Sequence, residues 1–150
     1  MIEMKPLFQI NAIVAEPQVT PDGPYGDRRY IPVTGGTFKG ERLSGKMLSG
    51  GADCQLMRKD GVAELDVRVA LEVDDGTVIY MKGLGLRHGP AEVMQRLAAG
   101  EEVDASEYYF REAVYFEAPP GSHDWLNKVV AIGTGRRDPN EVILEVFELL

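Results

Sequence analysis

Apolar residues recur at every second position along most of the chain, in short runs separated by Gly, Pro, Asp and Asn. A period of two marks strands with one face in a core. Residues 7–15 alternate weakly and stop at Glu16-Pro17, and the turn cluster Pro21-Asp22-Gly23-Pro24 precedes a second extended run at 30–33. From Gly35 to Gly51 glycines punctuate the chain between Phe38, Leu43, Met47 and Leu48. Glycines inside strands mark bends and bulges, which a small closed barrel requires. Further strands are predicted at 65–73, 77–86, 108–117, 125–134 and 142–149. Only 90–99 departs from this texture. There Val93, Met94, Leu97 and Ala98 form a stripe at helical spacing, with Pro90 in the first turn and Gly100 at the stop. Asp104-Ala105-Ser106-Glu107 reads as a capping box opening a short turn. No repeat, linker or composition break divides the chain, so 1–150 is expected to be one mainly β domain. About eight or nine short strands and one covering helix predict a single antiparallel barrel or a strongly curved sandwich.

Two Asp-Gly pairs sit between alternating runs, at Asp60-Gly61 and Asp75-Gly76. Asp-Gly is a strong signal for a two-residue hairpin turn. Counting outward from Asp60-Gly61 sets Gln55 opposite Asp66 and Asp53 opposite Arg68, with all four on one side of the sheet. Counting from Asp75-Gly76 sets Gly83 opposite Arg68 and Gly85 opposite Asp66. The glycines would leave open volume above a polar patch, or else merely relieve curvature.

Composition narrows the field. The formal charge of −8 argues against nucleic acid, which needs a basic surface. Cys54 is the only cysteine, so no internal disulfide can form and a structural zinc site is excluded. The start lacks a signal-peptide pattern, and no apolar stretch is long enough to span a membrane. A cytoplasmic protein without membrane or nucleic-acid partners is expected. His88 and His123 lie far apart in the chain and lack metal-ligand spacing, so no metal site is expected. Gly83-Leu84-Gly85-Leu86-Arg87-His88-Gly89 superficially matches a dinucleotide fingerprint but falls in a hairpin rather than a βαβ unit.

Several blocks together resemble a known family. They are Arg28-Arg29-Tyr30-Ile31-Pro32-Val33-Thr34-Gly35-Gly36-Thr37-Phe38-Lys39-Gly40, Gly50-Gly51-Ala52-Asp53-Cys54-Gln55, Leu65-Asp66-Val67-Arg68, Asp75-Gly76-Thr77-Val78-Ile79-Tyr80, Tyr109-Phe110-Arg111 and Trp125-Leu126-Asn127. The sequence is similar to the domain-of-unknown-function family 3237, found in bacteria and fungi, over nearly its whole length. The resemblance implies one small β-barrel related in shape to lipocalin-like (calycin-like) proteins, and it implies no settled activity. Cys54 stands where the family usually has Trp.

Alternation leaves two placements for the polar patch. With the apolar side inward, Asp66 and Arg68 are a wet ion-paired face, as antiparallel sheets commonly show. With the polar side inward, they line a ligand cavity. In a cavity, Asp53 beside Arg68 would stay ionised, whereas Asp66 facing Gln55 would be desolvated towards neutrality and suited to proton transfer. Asp66, Asp53 and Arg68 are therefore the candidate catalytic residues. Arg29, Gln55, Tyr80, Tyr109, Arg111, Trp125 and Asn127 are the candidate substrate contacts. A carboxylate base with an arginine electrophile suits isomerisation, elimination or lactone opening, and none of these needs a cofactor. The expected partner is a small organic molecule, anionic or cyclic. The alternative is a non-catalytic binding or carrier barrel. An apolar outer face would favour a homodimer.

Overall fold

The alternating runs become ten strands in the computed structural model, which describes residues 1–150. They are β1 (Met4–Val14), β2 (Gln18–Gly23), β3 (Gly26–Lys39), β4 (Ser44–Met47), β5 (Ala52–Met57), β6 (Ala63–Val73), β7 (Val78–His88), β8 (Tyr109–Glu117), β9 (Ala131–Asp138) and β10 (Glu141–Leu149). All pairings are antiparallel, and β1 bonds both β10 and β3, so the sheet closes on itself. β2 pairs only with β3, and β4 and β5 share one place between β3 and β6; setting β2 aside leaves eight strand positions around a closed barrel. Closure removes the unpaired edges that an open sheet would expose.

The glycine-rich stretch does the bending. Along β3 the first half pairs with β5 and the second half with β1 and β4. At the changeover Gly36 has φ 143°, and a Cβ there would strike the Asn11 carbonyl.

One end of the barrel is plugged by aromatic residues. The Phe8 ring packs edge-on against Phe38 and Phe116, with centroids 5.3 and 5.8 Å apart, beside the fully buried Leu71 and Ile79. A 3₁₀ turn, Asp124–Lys128, adds Leu126, which is 1% exposed. The sequence predicted a strand over 125–134; the strand instead begins at Ala131. The turn wins because its own 3₁₀ bonds hold it, Leu126 N–H donating to the His123 carbonyl at 3.1 Å, and because it buries Leu126. Burying a leucine is worth about 2 kcal/mol.

Helix α1 (Ala91–Ala98) lies at the opposite end, as its apolar stripe predicted, with Val93 and Leu97 buried. Gly100, at φ 81°, ends the segment in the left-handed conformation that favours glycine. Asp104 caps the short 3₁₀ turn Ala105–Glu107 through the Ser106 N–H at 2.8 Å. No helix is long and apolar enough to cross a membrane.

Both Asp-Gly hairpins differ from expectation by one residue. A two-residue type I′ turn needs φ > 0 at both centres, yet the only non-glycine with positive φ is Asp22. Each loop instead has three residues and ends on a left-handed glycine, Gly61 (φ 86°) or Gly76 (φ 89°). Arg58 N–H donates to the Val62 carbonyl at 2.9 Å, and Val73 N–H to the Thr77 carbonyl at 2.8 Å. The aspartates brace these loops from within, Asp60 accepting from Val62 N–H and Asp75 from Thr77 N–H. The resulting registers are Asp53 opposite Val67, Val67 opposite Gly83 and Leu65 opposite Gly85.

Candidate functional site

A one-residue change of register moves a whole strand's side chains to the other face. Asp53 and Gln55 therefore point into the barrel, while Asp66 and Arg68 point out. Arg68 Nε donates to Asp66 at 2.9 Å, both half exposed, and its Nη1 donates to Tyr80 Oη at 3.3 Å. These three residues form an outer-face cluster and do not converge with Asp53. Tyr109 and Arg111 are also outside, the Tyr109 ring stacked on His88 at 4.9 Å with the Arg111 guanidinium 5.3 Å from it. Trp125 packs beneath the Arg42 guanidinium at 4.3 Å. Asn127, expected on a strand, sits in the 3₁₀ turn, and its amide clasps both backbone groups of Ala118 at 2.6 and 2.9 Å. Cys54 is exposed on the face opposite Asp53 and Gln55, as alternation predicted. Of the ten sequence candidates, Asp53, Gln55 and Arg29 lie at the barrel interior or its mouth.

Inside, a different pair of carboxyl groups comes together. Glu112 on β8 is 5% exposed and stands between Gly85 on β7 and Gly133 on β9. The neighbouring glycines give it room. A Cβ at Gly83 would come within 2.6 Å of Glu112 Oε2, and one at Gly85 would strike the Arg111 carbonyl. Glu112 Oε2 has no hydrogen-bond partner, nor does Gln55 Oε1. Asp53 is better served. Gln55 Nε2 donates to its Oδ2 at 2.8 Å and Asp66 N–H to its Oδ1 at 3.0 Å, where the β5–β6 ladder skips Cys54 and Gln55. Asp53 is packed round by protein yet keeps part of its surface on the cavity.

These surroundings set the protonation. Burial lifts the Glu112 carboxyl to about 8, and the Asp53 charge acts in the same direction. Burial also raises Asp53, and hydrogen bonds from Gln55 and Asp66 and the positive charge of Arg87 offset only part of that rise, so the Asp53 carboxyl stays above its ordinary range. The proton therefore resides on Glu112 and the charge on Asp53. Such a split between two neighbouring carboxyl groups separates an acid from a base.

The cavity holding this pair is about 60 Å³, with an otherwise largely apolar wall that includes Ile31, Val69, Met81 and Phe110. A larger space of about 370 Å³ lies at the mouth, under α1 and beside Arg29. Arg87 and Arg137 border both spaces. Arg87 is 6% exposed and its guanidinium lies 5.9 Å from the Phe110 ring. Burial drives its pKa down to about 10, with the neighbouring charge of Arg137 acting in the same direction. Tyr108, also buried, accepts a hydrogen bond from the Arg137 backbone N–H at 2.8 Å. Two carboxyl groups and a cation thus face one small apolar volume, the kinds of group that proton transfer at a polarised carbonyl calls for.

Glu112, Arg87 and Arg137 were not among the site candidates read from the sequence, although a signal for them exists. β7 reads Gly83-Leu84-Gly85-Leu86-Arg87 and β9 reads Gly133-Thr134-Gly135-Arg136-Arg137. In both strands two inward glycines lead to an inward arginine at the mouth, and β8 with Glu112 runs between them.

Comparison with known proteins agrees with this architecture. A UPF0311 protein of Rhodopseudomonas palustris is 40% identical over 99% of this chain and 97% of its own length. The crystal structure of a conserved protein of unknown function from Rhodopseudomonas palustris superposes with a TM-score of 0.97 at 36% identity, covering 100% of this chain and 99% of that one. A β-barrel-like protein of Acinetobacter baumannii gives 0.87 at 39% identity, covering 100% and 97%. A protein described as an enzyme from Penicillium herquei shares the fold at 20% identity, with a TM-score of 0.75 over 99% of this chain and 95% of that one. The family model for proteins of unknown function DUF3237 matches residues 2–149, and the chain belongs to that family.

Proposed function

We propose that this protein is a cofactor-independent acid–base enzyme, of the isomerase, lyase or lactone-hydrolase type, acting on a small organic molecule in the barrel. The observation that carries this reading is Glu112, a fully buried acid with an unpartnered oxygen beside a second carboxyl group that has two partners. Buried polar atoms that serve packing alone are nearly always hydrogen-bonded. In this reading Asp53 accepts a proton from substrate carbon or water, Glu112 donates one to the departing or enolising oxygen, and Arg87 stabilises negative charge as it develops. The Penicillium herquei protein described as an enzyme supports the capacity of this fold to host catalysis.

The test is proton NMR in D₂O with a panel of cyclic ketones, lactones and aromatic acids. The expected result is deuterium incorporation or product formation by the wild type. Asp53→Asn and Glu112→Gln should each slow it by about 100-fold or more. Wild-type rates in both variants would remove the acid–base assignment, and saturable binding without turnover would favour a carrier.

A further inference from the structure

We propose that Arg29, Arg87 and Arg137 form an anion-recognition site at the barrel mouth, which takes the carboxylate of a small organic acid whose apolar part enters the barrel. This deepens the reading of the cavity as a substrate site, but it stands on different residues.

Arg29 on β3, Arg87 on β7 and Arg137 on β9 all border the mouth. The six ion pairs of the molecule include none of them. Arg87 is more than nine-tenths buried, with its charge set against those of Arg137 and Arg29. A buried cation without a partner is costly, and removing it from water is tolerated when a counter-charge arrives. Three mutually repelling guanidinium groups are gathered here in a chain of net charge −8. Structural needs do not account for that gathering, because an apolar side chain would pack the same place at lower cost.

The local charge points to the ligand. Asp53 attracts Arg87 and Arg137, and Glu16 attracts Arg137. Glu101 and Asp138 also border the mouth, and their negative charge disfavours polyanions there. The forked guanidinium geometry matches a carboxylate in bidentate fashion. Beyond the arginines the wall turns apolar at Ile31, Val67 and Phe110, and Glu112 there is held neutral, so the inward part of the ligand carries no charge.

The experiment is titration calorimetry on the full chain at pH 7 and low salt, with benzoate, benzamide, acetate and inorganic phosphate. Benzoate should bind saturably and at least 10-fold more tightly than each of the other three. Arg137→Gln and Arg29→Gln should each weaken it, and Arg87→Met should abolish it while raising the thermal midpoint, because an unpaired buried charge is removed. No benzoate binding, benzamide binding equally well, or phosphate binding more tightly would overturn the proposal. A lowered midpoint in Arg87→Met with benzoate affinity unchanged in Arg29→Gln would overturn it too. The readout is binding alone. Absence of turnover on every substrate would leave this site standing, and turnover confined to neutral substrates would remove this site only.

Discussion

Replacing Glu112 with Gln should change how stability depends on pH, by an amount the structure sets. The folded carboxyl binds its proton up to about 8, against an ordinary value of 4.5. Between those values unfolding releases a proton, so rising pH favours the unfolded chain. The contribution of Glu112 to stability is therefore full below pH 4.5 and is lost as pH rises towards 8. From pH 5 to pH 7 the loss amounts to about 2 to 3 kcal/mol, because each pH unit crossed in that window costs up to about 1.4 kcal/mol. For a chain of this length that corresponds to roughly 6 to 9 °C in melting temperature. Gln has nearly the same shape and does not titrate. Urea or thermal denaturation of wild type and Glu112→Gln at pH 5 and pH 7 measures the difference directly. The wild type should lose stability relative to the variant across that interval. Parallel curves would show that Glu112 is solvated or partnered, and the acid assigned to it would fall.

Three further substitutions probe the architecture. Gly85→Ala brings a methyl group against the Arg111 carbonyl and the Glu112 side chain, and should cost about 1–3 kcal/mol in urea denaturation. Leu126→Ala empties the plug at the closed end and should cost about 2–5 kcal/mol by the same assay. Asp66→Asn, on the outer face, should leave both the melting temperature and benzoate binding as in the wild type.

Much of the barrel was legible in the sequence because burial imposes a period of two on most of its strands, the exposed β2 apart, and the helix at 91–98 because its period differs. The hairpin registers were not. Asp-Gly suits a two-residue turn, and it also suits the last two places of a three-residue loop with a left-handed glycine. The choice between them is made by pairing along the whole strand. Taking the shorter loop twice set Asp66 and Arg68 on the same face as Asp53 and Gln55 and put Gly83 and Gly85 beside the wrong carboxylate. The glycines do make room for an acid, but the acid is Glu112, which reaches the site from the next strand. Residue 112 alternates with Phe110, Val114 and Phe116, so the period of two already puts it on the inward face; its charge is what makes the position read as an outward exception. Arg87 and Arg137 carry the more readable signal, since each follows two alternating glycines. Asp53 and Gln55 were placed together correctly because they alternate within one strand, where no register has to be assumed.

The most direct test of the central claim is carbon-13 NMR titration of the carboxyl groups of Asp53 and Glu112, with Asp53→Asn as the comparison. Glu112 should titrate near 8, Asp53 should be raised above its ordinary range, and the Glu112 midpoint should fall in Asp53→Asn because the neighbouring charge is gone. Two ordinary carboxylate titrations, unaffected by the substitution, would contradict an acid and a base held together inside the barrel.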